Sequence, residues 1–183
     1  MAAPPEKTLK DLSGKWNKTK SDDLDRLLQL QKVSWFIRNI IRYATITLTI
    51  TEYVDSSHIT HMDISQVASG GIQGTTEKRT LDWTWRDHKD GIFGSLKGRS
   101  RWCKLSDVED VGEDGAKWLK TGWLDGEDAD YVQSYVESYD NGWTANQVWG
   151  FEAVDGERYY VRHVVVRNGE DWKCARLVYD FLG

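Results

Sequence analysis

The chain changes its hydrophobic period once near its start, and that change limits the folds open to it. Apolar residues first recur three or four positions apart, at Leu24, Leu27 and Leu28 and again at Val33, Phe36, Ile37, Ile40 and Ile41. This is the spacing of one face of a helix. From Ala44 the period drops to two: Ala44, Ile46, Leu48 and Ile50 alternate with Thr45, Thr47, Thr49 and Thr51, as in a half-buried strand of β-branched residues. The longer step from Leu28 to Val33 breaks the helical stripe, and Ser34 offers a cap beyond it, so two short helices are expected in tandem. Ser21-Asp22-Asp23 reads as the cap of the first, with acidic residues at the positive end of its dipole. Lys32, Arg38 and Arg42 fall off the apolar stripe and give the second helix a basic outer face. Ahead of the helices, residues 14 to 20 read as a strand in which Gly14 permits close backbone approach and Trp16 plugs one end of a core.

Everything downstream reads as strands. They are expected at about 58–69, 73–85, 91–105, 116–125, 131–139, 143–154, 158–168 and 171–181. The punctuation is turn chemistry, including Ser69-Gly70-Gly71, Asp125-Gly126, Asp140-Asn141-Gly142, Asp155-Gly156 and Asn168-Gly169. About ten strands joined mostly by short hairpins favour an all-β, antiparallel up-and-down barrel of calycin or lipocalin type over a sandwich. Such a barrel leaves an interior space, and the helical pair between strands 1 and 2 is placed as a lid over it. Residues 1–11 read as a disordered leader and 12–183 as one domain.

Composition narrows the function. Ten Trp and eight Tyr stand against only two Pro in 183 residues, more flat side chains than a core requires and suited to the wall of an apolar site. The net charge of −5 argues against a nucleic-acid surface. No apolar run approaches the roughly 20 residues of a membrane span, so stable insertion is not expected. Met1-Ala-Ala-Pro-Pro-Glu-Lys lacks a signal peptide's apolar segment, and a cytoplasmic protein with Cys103 and Cys174 as free thiols is expected. Gly98-Arg99-Ser100-Arg101-Trp102 is not a nucleophile elbow, and Gly70 to Gly74 lacks the Lys-Ser/Thr of a phosphate loop. His58 and His61 fall on opposite faces of a strand, and Asp125 to Asp130 lacks the central Gly and terminal Glu of a calcium loop. A metal-dependent or triad hydrolase is improbable.

What remains is barrel lining. From Gly74 to Trp85 one face carries Thr75, Glu77, Arg79, Leu81, Trp83 and Trp85, and the opposite, Thr- and Lys-bearing face belongs in solvent. Glu77 and Arg79 are therefore expected inside, either as an ion pair in the wall or in use there. Trp143, Gln147, Trp149 and Phe151 share a face, as do Tyr160, Arg162 and Val164. Val161, His163 and Val165 form the other side of that last strand, which leaves its inward face open. The final strand offers Cys174 and Arg176 on one side. An aromatic cage with a few fixed Arg, Gln, Tyr and His groups suits an apolar ligand with a polar head, whose oxygens an arginine can anchor.

The Gly14-x-Trp16 strand, the Ser21-to-Asp25 helix start and the paired helices resemble the intracellular fatty-acid-binding proteins of the calycin superfamily. Arg176 followed by Tyr179 resembles their carboxylate clamp, one residue more widely spaced. A fuller similarity runs through Leu30-Gln-Lys-Val-Ser-Trp-Phe-Ile-Arg38, Gly70-Gly-Ile-Gln-Gly-Thr-Thr-Glu77, Leu81-Asp-Trp83 and Gln147-Val-Trp-Gly-Phe-Glu152. These stretches are similar to a family of small fungal proteins that includes the cofactor-independent hetero-Diels–Alderases of tropolonic sesquiterpenoid pathways. The resemblance implies dehydration of a hydroxymethyl tropolone to an o-quinone methide and its cycloaddition to a humulene-type alkene, without metal or cofactor. For such a reaction the barrel lining offers Arg79, or His61 if its face is inward, as the expected donor to the tropolone oxygens that assists loss of hydroxide, with Trp83, Trp85, Trp149 and Tyr160 expected to stack the two partners. Glu77, Gln147, Arg162 and Arg176 are the further expected substrate contacts.

A carrier of an apolar small molecule needs the same cavity, and turnover separates it from a cyclase. A third reading, an interaction module docking through the basic helix and acidic loops, predicts no saturable small-ligand binding. The barrel exterior also permits a homodimer.

Overall fold

The computed structural model describes residues 1–110 and 112–183. Ten strands form one antiparallel sheet: β1 (Gly14–Lys18), β2 (Ile46–Val54), β3 (Thr60–Ala68), β4 (Ile72–Thr80), β5 (Arg86–Asp90), β6 (Gly94–Cys103), β7 (Tyr131–Ser138), β8 (Thr144–Val154), β9 (Glu157–Asn168) and β10 (Asp171–Phe181). Helices α1 (Asp25–Leu30) and α2 (Trp35–Tyr43) lie between β1 and β2, and α3 (Glu113–Lys120) between β6 and β7. Apart from β4 and β5, consecutive strands pair as a meander, and β1 joins β10 with Trp16 opposite Phe181. The sheet thus curls into a nearly closed barrel whose free edges are β4 and β5. Just beyond β4, the isolated Asp82–Arg101 bridge and the Trp83 amide's bond to the Ser100 carbonyl tie the chain across to β6.

The strand count matches expectation, but its membership does not. The segment read as a strand at 116–125 is not one: its first half, to Lys120, belongs to α3 and the rest is turn. Ala116 and Leu119 are three apart, Glu113 and Asp114 occupy the first turn, and Lys117 and Lys120 lie towards the last turn, as the helix dipole favours. The tenth strand comes instead from β5, in the gap between the strands expected at 73–85 and 91–105.

The lid also starts differently from its sequence signal. The Ser21-Asp22-Asp23 cap does not cap α1, whose N-cap is Leu24 without a side-chain bond. Ser21 Oγ accepts from the Val178 amide at 2.9 Å and Asp22 Oδ2 from the Arg176 amide at 2.7 Å, so both side chains fasten the lid to β10. Ser34 does cap α2, accepting from the Ile37 amide. The two helices are tied by Arg38 Nε donating to Asp25 Oδ1 at 2.9 Å.

Residues 1–11 are not a loose leader. Ala3 and Leu9 are buried with Leu12 and Trp16 in the core that fills the barrel end away from the lid. Arg158 donates to the Pro4 and Lys7 carbonyls, and Ala3 bonds the Arg158 carbonyl. The segment is a plug, held because its few apolar side chains have a barrel mouth to fill. Gly14, at φ +134°, fits where a Cβ would stand 2.7 Å from the Phe181 ring.

A second core lies outside the barrel. Leu119 of α3, with Leu105 and Val108, packs on Tyr131, Val148 and Val165, which project from the outer faces of β7, β8 and β9. Those strands are therefore largely buried on both faces, and β9 has an unbroken buried run from Tyr159 to Val166.

Candidate ligand cavity

The plug fills one half of the barrel and leaves a cavity of about 340 Å³ in the other, beneath the lid. Its upper wall is mainly apolar, with Leu27 and Leu28 from α1, Ile37, Ile40 and Ile41 from α2, and Phe93, Leu96 and Trp143 from the strand side; Lys18, Gln31, Gln73, His88 and Asp90 also line the cavity. The α2 isoleucines reach it because i, i+3, i+4 positions share a helix face.

The floor is polar and builds from strand alternation. Gln66 on β3, Glu77 and Arg79 on β4, Gln147 on β8 and Arg162 on β9 all line the cavity. Glu77 is the hub. Its Oε2 accepts from Arg79 Nη2 at 2.9 Å and Nε at 3.2 Å, and Gln66 Nε2 donates to its Oε1 at 2.9 Å. Arg162 Nη1 stands 3.7 Å from the same Oε2. Burial pushes the Glu77 carboxyl up, but the two guanidiniums and these hydrogen bonds outweigh it and hold the group below the usual carboxylate range. One carboxylate thus faces two guanidiniums, and the floor carries surplus positive charge.

Arg162 is almost fully buried. Its Nε donates to the Tyr160 hydroxyl at 2.9 Å, its guanidinium lies 3.9 Å over the Trp149 ring, and its Nη2 has no hydrogen-bond partner among the described residues. Trp149 in turn donates to Gln147 Oε1 at 3.0 Å. Burial raises the Tyr160 pKa, so its hydroxyl stays protonated at neutral pH. Under the lid, Lys18 donates to the Ile41 carbonyl at 3.2 Å, and burial lowers its pKa.

The expected site residues divide cleanly. Glu77, Arg79, Gln147 and Arg162 line the cavity, and Trp149 and Tyr160 are buried in the core beneath its floor. The other four point away. His61 is on the outer face of β3, between the inward Thr60 and Met62; it contacts Asp55 at 2.9 Å and stacks on Tyr53. Trp83 and Trp85 lie outside because β4 ends at Thr80, and Trp83 adopts a left-handed φ of +59° that breaks the alternation. Their rings hold the Arg99 guanidinium at 4.1 and 4.4 Å. Arg176 is on the outer face of β10, where its Nη1 meets Glu152 Oε2 at 3.5 Å.

The same outer face settles the open question on β9. Tyr160, Arg162 and Val164 point inward, while His163 is buried outside, its Nδ1 donating to the Trp118 carbonyl at 2.9 Å and its Nε2 2.7 Å from Glu152 Oε1. Of the clamp-like pair, Tyr179 lines the cavity and Arg176 does not, and Gln66 was not anticipated as a cavity residue. A polar Gln66 continuing the inward Met62–Ile64 alternation was the available signal for it.

The lidded, nearly closed barrel has the same fold as solved lipid- and fatty-acid-binding barrels. Caenorhabditis elegans lipid binding protein 8 matches with a TM-score of 0.61 at 11% identity, covering 97% of this chain and 99% of that one. A Schistosoma mansoni fatty-acid-binding protein, solved with arachidonic acid, matches at 0.55 and 18% identity over 93% of this chain and 96% of its own. In sequence, the chain is similar end to end to two fungal proteins. The "probable pericyclase scpY" of Mollisia scopiformis is 28% identical over 100% of this chain and 95% of its own. The "pericyclase pydY" of an Acremonium species is 27% identical over 100% of this chain and 98% of its own. No family model matches.

Proposed function

We propose that the chain is a pericyclase that folds and orients an apolar substrate, or substrate pair, under the α1–α2 lid. The observation that carries this reading is the division of the cavity into an apolar upper wall and a cationic floor. The fungal relatives' names agree with it. A cycloaddition requires two π systems in one relative orientation, and any pericyclic step requires one reactive conformation, which confinement supplies by removing translational and rotational freedom. It gains from a donor on the oxygen that accumulates negative charge.

The finer reaction follows the sequence resemblance. A hydroxymethyl tropolone loses its ring-hydroxyl proton and its side-chain hydroxide as water, giving an o-quinone methide. The C=C–C=O unit then adds to one alkene of a humulene-type ring, forming one C–C and one C–O bond. Arg79, with Arg162 behind it, donates to the tropolone oxygens. The isoleucines of α2 hold the hydrocarbon and exclude the water that would quench the quinone methide. Trp149 and Tyr160 support Arg162 rather than stack on substrate, and His61 has no part in the step.

The test is incubation of purified protein with the two compounds, read by chiral chromatography against a protein-free control. One stereoisomer formed faster than background is expected. Arg79→Met should lower that rate by about a hundredfold, the scale for losing one donor to a developing oxyanion. The second reading, a carrier, draws on the lipid-binding barrels of the same fold. Saturable binding with an unchanged racemic background would favour it.

A further inference from the structure

We propose that Lys18 is an amine site that captures an apolar aldehyde as an imine inside the cavity. Lys18 ends β1, where strand alternation puts it on the same inward face as Trp16, and among the described residues it is the only lysine that lines the cavity. Its Nζ donates to the Ile41 carbonyl, in the last turn of α2, at 3.2 Å. Leu24, Ile41, Ile46 and Leu177 line the same cavity, and Tyr179 stands opposite Lys18 in the β1–β10 ladder.

The missing counter-ion sets Lys18 apart. A lysine turned into a protein interior is normally paired with a carboxylate. Among the described residues the cavity holds two carboxylates, and both are engaged elsewhere. Glu77 is held by Arg79 and Arg162, and Asp90 Oδ1 accepts from the Ile92 and Phe93 amides. The Ile41 carbonyl takes one N–H of the three and carries no charge to hold the ammonium. Burial therefore acts unopposed, lowering the Lys18 pKa and raising the share of free amine at neutral pH. A desolvated amine with its lone pair free is the form of lysine that adds to carbonyls. The lone pair attacks the aldehyde carbon, and the resulting carbinolamine loses its oxygen with the two amine hydrogens as water. A C=N bond then stands where C=O was, and neither oxidant nor metal is consumed. The apolar wall accepts the hydrocarbon body of the ligand and keeps water from reversing the capture. A second oxygen on that body would suit the Arg79–Arg162 floor.

The experiment incubates the full-length protein near neutral pH with 2-naphthaldehyde and sodium cyanoborohydride, which fixes an imine as a stable secondary amine. Intact mass and peptide mapping read the adduct. A single naphthylmethyl group on Lys18 is expected, formed about tenfold or more faster than on Lys15 and Lys20, the exposed lysines of the same segment. Excess 2-methylnaphthalene, which has the same rings but no carbonyl, should slow the labelling of Lys18 and not that of the other two. Lys18→Met should lose the fast adduct. Lys18→Arg keeps a donor for the Ile41 carbonyl but has no amine, so it should lose the adduct with near-ultraviolet circular dichroism unchanged, and it decides the matter if the methionine variant fails to fold. Labelling of Lys18 no faster than Lys15 or Lys20, an undiminished fast adduct in folded Lys18→Arg, or indifference to 2-methylnaphthalene would each overturn the proposal. The readout is a mass and involves no turnover, so it stands or falls separately from the pericyclase reading.

Discussion

At the scale of single residues, Glu77 decides the character of the cavity. It sits between Arg79 and Arg162, and its removal leaves two buried guanidiniums facing each other. Glu77→Gln is therefore expected to destabilise the fold by about 3 kcal/mol, read as a lower urea midpoint at unchanged slope. A second buried carboxylate lies at the opposite end. Glu52 follows Leu48 and Ile50 on the inward face of β2 and accepts from the Leu12 amide at 2.8 Å. Burial under the plug pushes its pKa up from 4.5 to about 7. The folded state then holds this proton more tightly than the unfolded chain, so Glu52 stabilises most below about pH 4.5 and that contribution is lost as pH rises through 7. With Glu52 partly open to solvent the effect is about 1 kcal/mol. Glu52→Gln should gain that much on wild type between pH 5 and pH 8 in paired denaturation curves. Glu77 and Arg79 were legible from alternation, because β4 keeps its pleat through Thr80. Trp83 and Trp85 were not, because a left-handed residue ends the parity and no local signal announces it.

Among the elements, α3 and β9 show where periodicity stops being informative. β9 is largely buried on both faces because α3 covers the outside of the barrel, so alternation could not tell whether Arg162 or His163 faced the ligand. The outer layer is keyed to the barrel at Gly150, where a Cβ would stand 2.6 Å from the Trp123 ring and 3.1 Å from Tyr131. Gly150→Ala is expected to cost about 1–3 kcal/mol and to speed amide exchange in α3 while leaving cavity binding intact. Loss of ligand binding instead would mean that the outer layer shapes the interior. The lid illustrates a different limit. Ser34 caps α2 as its position suggests, whereas Ser21 and Asp22, equally good caps by type, are drawn to the β10 backbone. A hydroxyl or carboxylate bonds whichever amide the fold brings near.

For the whole molecule, the N-terminal plug closes one end and the lid the other. Deleting residues 1–11 removes the burial of Ala3 and Leu9 and the carbonyls that hold Arg158. A loss of about 2–3 kcal/mol is expected from that area, seen as a lower melting temperature. An unchanged melting temperature would mean the plug packs without stabilising. The sequence by itself determined the all-β barrel with its two-helix lid, since a period of 3.6 followed by a period of 2 and regular turn chemistry admit few other chains of contact. It also determined that Glu77 and Arg79 face inward, because a regular strand has only two sides. Tertiary structure alone decided that Ala3 and Leu9 of the N-terminal segment join the core, that α3 is a helix on the outer wall, and that Arg162 rather than Arg176 or His61 joins the cavity floor. Those outcomes depend on which distant surfaces meet and shed water together, a property of the assembled sheet that no local spacing encodes.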